Sequence, residues 1–378
     1  MAELLEFNDL RTRENFEYGI INVDEKEGVV YSNYNLLIEP KYDFLCASVD
    51  KTLKAKLNGK EGIIDIKGNI IIPFEYDFIL INPDLHDNNY AIAKLGDKLG
   101  VINFNNEIVI PINYEFLWSQ DFKHFSYSVG DKYGLLDINN NVLIPPMYDD
   151  AECYSDFMIV SKRFKVAKYE DRYIENEDQE VYGVIDYDNN ILIPFEYKKL
   201  SVLDKSDYET DFKDRLFYAK NQDYKYVIIN SENKKVCDIE FDYVKDSDNS
   251  IHCASCGKQN YVIDSYGNAH LLEYNSYSDF QMISKDEAVA CVWNADDTEI
   301  SVVNQKAEVL FMNKSIKIVC TNKQNGLIFI NKDGQYGAVD RSGNIVIPFE
   351  EGMLWGKHNF IVRKNGQKWH FEKGHLYA

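Results

Sequence analysis

The segment 133–148, YGLLDINNNVLIPPMY, recurs in approximate copies along most of the chain. It contains two short apolar runs around a polar elbow, and a proline and a tyrosine end the second run. Apolar runs of this length around such an elbow are typical of a β-hairpin. One hairpin cannot bury its apolar faces alone, so the repeat predicts that neighbouring copies stack.

An Asp or Asn opens each elbow, at Asn22, Asp65, Asn103, Asp137, Asp186, Asn230, Asp264, Asn304 and Asp340. Three residues later stand Gly68, Asn106, Asn140, Asn189, Asn233, Gly267 and Gly343, with Ala307 as an exception. Asp and Asn side chains bond backbone amides two residues on, and Asn and Gly tolerate a positive φ. Since Asn cannot titrate, the alternation of Asp with Asn predicts a structural turn and not acid–base chemistry.

A glycine lies three residues before the elbow Asp or Asn, at Gly19, Gly62, Gly100, Gly134, Gly183 and Gly337. We predict that it takes a backbone shape, or permits a close approach, that only glycine allows. The second apolar run ends in a proline box such as LIPPMY at 143–148. Proline cannot donate an amide hydrogen to a ladder, so Pro145 is predicted to end or bend its strand.

With its aromatic–glycine pairs, Asp turns and Pro-x-x-Tyr boxes, the sequence resembles the WG-repeat proteins of bacteria. The resemblance covers about residues 18–378, although Tyr mostly replaces the Trp of the family motif. It implies a bacterial repeat scaffold, and it brings no catalytic motif that could be transferred to this chain.

Each copy offers four extended pieces, such as 62–66, 69–73, 76–81 and 90–95, which is the content of one propeller blade. We therefore predict an all-β, propeller-like tandem repeat of about nine short β-meander units. An open β-solenoid or a two-lobed array is the alternative. The array is expected to span 18–378 behind a lead-in segment at 1–17, with charged insertions at about 162–180 and 201–214.

The formal net charge of −21 disfavours a nucleic-acid partner, because phosphate binding relies on Lys and Arg. It equally disfavours anionic membrane surfaces. The first fifteen residues lack the apolar core of a signal peptide, and no window approaches a membrane span. The seven cysteines follow no repeat position, which fits reduced thiols. We expect a cytoplasmic protein.

No motif for acyl transfer, phosphate loops or zinc-protease chemistry occurs, so we expect no enzyme activity, no catalytic residue and no cofactor. The one metal-like spacing, Cys253-x-x-Cys256, lacks the second pair that a zinc site normally requires. We therefore expect no metal site.

Trp118 and Trp355 occupy the same position, four residues after the last residue of a proline box. Adjacent residues of a strand face opposite ways, so the two indoles are predicted to share one face as contact anchors. The alternative is that they fill space between copies.

Three functions remain open. The first is a non-catalytic scaffold that recognises another protein, of unknown identity, through loops of the repeat array. The second is a propeller that binds a small molecule or glycan, and the third is a hydrolase whose site is assembled from several repeats.

Overall fold

The computed structural model describes a large part of the chain, and the statements below concern these residues: 10–11, 18–31, 36–47, 52–81, 89–119, 121–170, 173–204, 210–245, 251–274, 276–278, 280–284, 287–293, 300–313, 316–322, 326–355, 360–363, 368–372 and 375–377. The chain divides into two compact units, Met1–Phe195 and Glu196–Ala378. No helix of the described residues is long and apolar enough to cross a membrane.

Five four-stranded antiparallel meanders account for the described strands from 10 to 197. In chain order they are β1 (Leu10–Arg11), β2 (Tyr18–Val23), β3 (Lys26–Tyr31) and β4 (Leu36–Tyr42); β5 (Phe44–Ala47), β6 (Thr52–Leu57), β7 (Lys60–Asp65) and β8 (Ile70–Tyr76); β9 (Phe78–Leu80), β10 (Tyr90–Leu95), β11 (Lys98–Asn103) and β12 (Ile108–Tyr114); β13 (Leu117–Trp118), β14 (His124–Val129), β15 (Lys132–Asp137) and β16 (Val142–Tyr148); β17 (Asp150–Cys153), β18 (Phe157–Glu170), β19 (Tyr173–Asp186) and β20 (Ile191–Tyr197).

Four further sheets, of three, four, five and seven strands, follow in the described part of the second unit. They are β21 (Lys199–Val202), β22 (Leu216–Lys220) and β23 (Tyr226–Asn230); β24 (Tyr243–Val244), β25 (His252–Cys256), β26 (Gln259–Ile263) and β27 (Ala269–Leu272); β28 (Ser276–Tyr277), β29 (Gln281–Met282), β30 (Ala288–Trp293), β31 (Ile300–Asn304) and β32 (Val309–Asn313); β33 (Ile316–Asn322), β34 (Leu327–Lys332), β35 (Gln335–Val339), β36 (Ile345–Trp355), β37 (Phe360–Arg363), β38 (Lys368–Glu372) and β39 (His375–Tyr377). A short 3₁₀ helix, Phe212–Asp214, precedes β22.

The predicted all-β, propeller-like tandem repeat of about nine meanders is confirmed, since the described strands form nine antiparallel sheets. The predicted grouping of strands into one sheet was wrong. Pieces 62–66 and 69–73 lie in the second sheet, whereas 76–81 and 90–95 lie mostly in the third. A sheet begins just after a box tyrosine, because the box strand closes the preceding meander as an edge strand.

The segments outside the regular copies are only partly described. In the lead-in, β1 pairs with β2, and 1–9 and 12–17 lie outside the described residues. The insertion at 162–180 prolongs β18 and β19 as a paired hairpin, in register from Lys162↔Val181 to Glu170↔Tyr173. Within the second insertion, 205–209 lie outside the described residues.

Apolar side chains fill the space between successive sheets, as the repeat predicts. Between the second and third sheets, for example, Ile63, Ile72, Ile79, Ala91 and Ile102 form one fully buried cluster. Each sheet therefore gives one face to the sheet before it and the other to the sheet after it within the unit.

The predicted elbow is a tight turn closed by side-chain hydrogen bonds. At Asp65, one carboxylate oxygen accepts from the amides of Lys67 and Asn69 at 2.8 and 2.9 Å, and the other accepts from the Asn69 side chain. Where the anchor is Asn103, its amide group donates to Glu107 instead, so the two polar partners exchange roles. The prediction of a positive φ three residues after the anchor is confirmed at all eight positions, including Ala307.

The glycine before each elbow is explained by a close approach and not by its φ. A Cβ on Gly134 would overlap the carbonyl oxygen of Ile144 and would lie 2.9 Å from backbone atoms of Pro145 and Pro146. In four of the other copies the corresponding distance to the carbonyl oxygen before the box proline or its counterpart is 2.6–2.9 Å, at Gly62, Gly100, Gly183 and Gly337.

In the first copy the predicted glycine was wrong. Gly28, and not Gly19, faces the proline box, with its Cβ position 2.5 Å from the Ile38 carbonyl oxygen. The displacement follows from the hairpin at Asp24 and Glu25, where both residues adopt a positive φ and turn β2 into β3. Gly19 lies one strand earlier, opposite Val30.

The box proline bends its strand without ending it. Pro145 lies inside β16, where the pairing runs Tyr133↔Tyr148, Leu135↔Ile144 and Leu136↔Val142, so β16 carries extra residues in a bulge. A bulge and a proline on an edge strand both oppose pairing with a further strand. The box strand therefore protects the edge of each meander from pairing with a further strand. Its bulge also brings a carbonyl oxygen so close to the neighbouring strand that only glycine fits there.

Box tyrosines also join neighbouring sheets. The hydroxyls of Tyr76, Tyr114 and Tyr148 donate to the side-chain oxygens of elbow residues Asn106, Asn140 and Asn189 in the next sheet, at 2.7, 2.7 and 2.5 Å. In the second unit Tyr197 donates to Asn233 at 2.7 Å, and burial, with Glu196 beside it, raises the pKa of Tyr197 to about 12. These phenols thus remain protonated donors over the physiological pH range.

We expect Tyr148→Phe to lower the free energy of unfolding by about 1 kcal/mol, because it leaves the Asn189 side-chain oxygen without its donor. The measurement is urea unfolding of Tyr148→Phe, Asn189→Gly and the double variant, which gives a coupling energy. Tyr42→Phe is the control, since the elbow residue of the next sheet is Gly68. Equal losses for Tyr148→Phe and Tyr42→Phe would contradict a role for the hydrogen bond.

A candidate interaction surface around Trp118

Trp118 is the second residue of the short edge strand β13, opposite Ser126 of β14. Its side chain is 42% exposed, whereas its neighbours Leu117 and Ser119 are both 3% exposed. Leu117 belongs to the apolar cluster between the third and fourth sheets. An exposed indole is thus carried by a backbone that is buried on either side of it.

The bend that follows Trp118 is fixed by a polar brace, which we define as Ser119, Asp121, His124 and Tyr187. Ser119 Oγ accepts from the Phe122 amide at 2.8 Å, and Asp121 Oδ1 accepts from the amides of Lys123 and His124 at 2.8 and 2.9 Å. These bonds set the direction in which the chain leaves β13. Such local side-chain bonds replace the ladder bonds that a bend lacks.

Asp121 also holds the imidazole of His124, with Oδ2 2.8 Å from Nδ1. Burial by itself would raise the pKa of Asp121, but the hydrogen bonds from the His124 ring and from the amides of His124 and Lys123 outweigh it and lower that pKa. The carboxylate is therefore ionised at neutral pH and fixes the orientation of the ring.

The other end of the brace lies in the fifth sheet. The ring of Tyr187 lies 4.4 Å from the imidazole of His124, measured between centroids, and its hydroxyl donates to the Tyr154 carbonyl oxygen. Burial raises the pKa of Tyr187, which keeps the phenol protonated. The bend after Trp118 is consequently held by its own sheet and by the next one.

Phe122 completes the bend in a strained conformation. Its φ is 54°, in the left-handed region that bulky side chains rarely adopt. The ring is buried and meets Phe125 edge-on, with centroids 6.1 Å apart. Strain of this kind persists only where surrounding contacts over-determine the backbone, and it is concentrated at functional sites.

The polar groups of this region fix the local backbone. An Asp–His pair can orient a general base, but the base then needs a nucleophile within hydrogen-bond reach. The nearby thiol of Cys153 is buried, and burial raises its pKa, so it is not an activated thiolate. Asp121 and His124 use their described bonds to fix the bend that presents Trp118.

The second predicted anchor is described only through its backbone. Trp355 ends β36 opposite Phe360, which corresponds to the pairing of Trp118 with the strand after it. The Trp355 side chain lies outside the described residues.

The remaining predicted residues lie in the scaffold. Each structural Asp anchors an elbow, and each glycine lies beneath a proline box, as described above for Asp65 and Gly134. Cys253 and Cys256 lie three residues apart on β25, so they face opposite sides of the sheet, and they pack in different apolar clusters.

Comparison with known families identifies the repeat. The sequence model of the WG-containing repeat family matches residues 62–98, 133–160, 182–205 and 336–350. The chain carries WG repeats. The matched WG segment 62–98 begins at the glycine beneath the box and runs through the box into β9 and β10 of the next sheet. A WG repeat in sequence therefore spans half of one sheet and half of the next.

Among solved structures, one with a TM-score above 0.5 shares the fold of this WG-repeat chain at low sequence identity. A crystal structure described as that of the eukaryotic initiation factor is 10% identical, with a TM-score of 0.51 over 89% of this chain and 96% of that one. A putative dipeptidyl aminopeptidase IV from Bacteroides ovatus is 10% identical, with a TM-score of 0.35 over 79% of this chain and 57% of that one. No protein with a curated description matches the sequence significantly.

Sequence reasoning missed the brace and a second set of contacts between sheets. In the latter, which we call the clasp, the acid after a box tyrosine binds a hairpin lysine of its own sheet and a hairpin amide of the next. Asp77 Oδ1 lies 2.6 Å from Lys60 Nζ, and Asp77 Oδ2 accepts from the Gly96 amide at 2.7 Å. The clasp recurs at Asp43 and Asp149, and Asp242 makes the same two bonds although it follows Phe241 and not a box tyrosine. The recurring Tyr-Asp pair in the boxes was the available signal.

Proposed function

We propose that this WG-repeat chain is a non-catalytic scaffold that recognises another protein, and that Trp118 is the anchor of the contact. The observation that carries the proposal is a large exposed indole on a bend that is fixed before any partner arrives. Tryptophan is the residue type that most often dominates binding energy in protein interfaces. A preorganised anchor loses little conformational entropy on binding, so more of its contact energy contributes to affinity.

The acidic character of the chain supports the same proposal. A net charge of −21 favours a partner surface that is basic or neutral, because electrostatic complementarity speeds encounter and suppresses wrong partners. The arrangement of Asp121 and His124 supports positioning because their described hydrogen bonds run within the bend. We accordingly propose that the brace holds the binding surface in a fixed shape and takes no part in a catalytic reaction.

The test compares Trp118→Ala with a matched control, Tyr266→Ala, whose side chain is 72% exposed in the second unit. Partners are captured on the immobilised wild-type chain, and the stoichiometric one is purified and titrated by calorimetry. We expect Trp118→Ala to weaken binding by about thirtyfold, as for an interface hot spot, with Tyr266→Ala unchanged.

Two results would contradict the proposal. One is an affinity of the folded Trp118→Ala variant equal to that of the wild type. The other is saturable binding of a sugar or nucleotide that Trp118→Ala abolishes while protein capture is unaffected, which would favour the ligand-binding alternative.

A further inference from the structure

The fifth proline box, LIPFEY at 192–197, reverses the charge of the clasp. Its tyrosine is followed by Lys198, whereas acids follow the other box tyrosines, at Asp43, Asp77, Glu115 and Asp149. The backbone position is equivalent, since the Lys198 amide donates to the Lys220 carbonyl oxygen at 2.8 Å, as the Asp77 amide does to Lys94 at 2.9 Å. The clasp acid is thus replaced by a cation at an unchanged place in the fold.

Two further lysines adjoin Lys198. Lys199 of β21 and Lys220 of β22 are directly opposite each other in the antiparallel ladder. Like charges at such a position destabilise a sheet. In two other sheets a lysine at this place faces an aromatic residue, Lys56 with Phe44 and Lys94 with Phe78.

An aromatic ring lies beside each of the three ammonium groups, and Lys198 and Lys220 share the ring of Tyr224. Lys198 Nζ and Lys220 Nζ lie 4.6 and 5.5 Å from the ring centroid of Tyr224. Lys220 Nζ is also 5.1 Å from the Tyr226 ring, and Lys199 Nζ is 5.7 Å from the Tyr218 ring. Cation–π contacts stabilise a lysine without neutralising its charge.

Carboxylates of the described residues leave these three lysines unpaired, although the chain has 62 acidic and 41 basic residues. In the same sheet Lys225 is paired with Asp242. The nearby Glu196 carboxylate accepts from the Asn233 side chain at 2.8 Å. The positive charges of Lys198, Lys199 and Lys220 are therefore available to an anionic ligand.

Tyr224 occupies a conformation that an ordinary turn would give to Gly or Asn. Its φ is 62°, and its side chain is 62% exposed. The turn is closed by Asn221, which accepts from the amides of Asp223 and Lys225 at 3.0 Å each. Holding an exposed tyrosine at a positive φ costs free energy locally, and packing does not explain why the chain bears this cost. Such strain is concentrated at functional sites.

We propose that Lys198, Lys199, Lys220 and Tyr224 form a binding site for a phosphate group. Lysine is a common phosphate ligand, because its ammonium ion acts as a point charge toward the phosphate oxygens, and a doubly charged phosphate gains more from three such charges than a singly charged carboxylate does. The nearest arginine on this sheet's connections, Arg215, is buried and donates to the Thr210 carbonyl oxygen. This proposal does not depend on the scaffold proposal.

The experiment is calorimetric titration of the full chain at about 0.15 M salt, where the distant negative charges are largely screened. Inorganic pyrophosphate and a phosphoserine peptide are the two probes, and they distinguish a free phosphate compound from a modified protein. The same peptide with glutamate in place of phosphoserine tests whether any anion suffices. We expect saturable binding of one phosphate probe or both, and weaker binding of the glutamate peptide.

The variant Lys198→Ala/Lys220→Ala should raise the Kd about tenfold or more and should fold normally, because loss of Lys220 relieves its like-charge pairing with Lys199. The control Lys60→Ala/Lys132→Ala makes the same change in net charge at lysines that are paired with Asp77 and Asp149. Its Kd should stay within about twofold of the wild type. Tyr224→Asn, which tolerates the positive φ, should bind more weakly while the chain unfolds no more easily.

The proposal is overturned if neither phosphate probe binds the wild type. It is overturned equally if the two double variants weaken binding alike, or if the glutamate peptide binds as tightly as the phosphoserine peptide.

Discussion

Gly134→Ala should lower the free energy of unfolding of the first unit by about 3 kcal/mol, the upper range for overpacking a buried site. The added Cβ would lie 2.9 Å from backbone atoms of Pro145 and Pro146 and closer still to the Ile144 carbonyl oxygen. Backbone held in a bulge between two sheets cannot move aside as a flexible side chain can. The loss is measured by urea unfolding, with hydrogen exchange of the Leu135 amide as a local readout.

Gly130→Ala is the matched control, four residues earlier in the same hairpin. Gly130 has a φ of 57° and no atom within 4 Å of its Cβ position, so alanine there should cost only about 1–2 kcal/mol of backbone strain. Equal losses for the two variants would show that the proline box yields readily, and the close approach would then not explain the recurring glycine.

The sequence predicted the parts of the fold that depend on short-range patterns. The elbow at Asp137 could be predicted because the anchor, the residue at positive φ and the flanking apolar runs lie within a few positions. The glycine at 134 was recognised by its recurrence, but its reason was not visible. That reason is a bulge in β16 that brings the Ile144 carbonyl oxygen against it, which no local pattern displays.

Contacts between sheets were not predictable from the repeat alone. Asn140 was assigned a turn role from its φ, yet it also accepts from Tyr114 of the preceding sheet, 26 residues away. His124 and Tyr187 form one brace although they lie in different copies. The glycine of the first copy was assigned wrongly because Asp24 and Glu25 form a hairpin without glycine. Gly19 had the spacing expected of the glycine that faces the proline box, but Gly28 occupies that place in the structure.

The candidate site was likewise predictable from the sequence only in part. Trp118 could be singled out because an exposed position of a repeat is free to vary, whereas Leu117 beside it is constrained by the core. The strained Phe122 left no mark in the sequence, since its conformation is imposed by Ser119, Asp121 and the packing against Phe125. The lysine patch was hidden because Lys198 looks like an ordinary substitution until its place in the clasp is known.

Asp264→Ala should destabilise the second unit by about 3 kcal/mol at pH 7, because it removes a buried ionised acceptor from several donors. The carboxylate accepts from the Tyr266 and Asn268 amides at 3.0 and 2.9 Å, and from His270 Nε2 at 2.8 Å. Asp340→Ala is the control in the same unit. That more exposed anchor has the same amide bonds, from Ser342 and Asn344, so its loss should be near 1 kcal/mol.

The pH dependence of the same anchor has a definite sign. Burial by itself would raise the pKa of Asp264, but hydrogen bonds from His270, Asn268 and the backbone outweigh it and lower that pKa. The contribution of the carboxylate is therefore complete above the unfolded pKa, near 4, and is lost as the pH falls through the lowered folded value. In Asp264→Asn the amide oxygen still accepts from the turn but does not titrate, as at Asn230 and Asn304. The stability advantage of the wild type over this variant should thus be present at pH 7 and shrink below about pH 4. An advantage that stayed constant down to pH 2 would mean that the ionised carboxylate contributes nothing special to this turn.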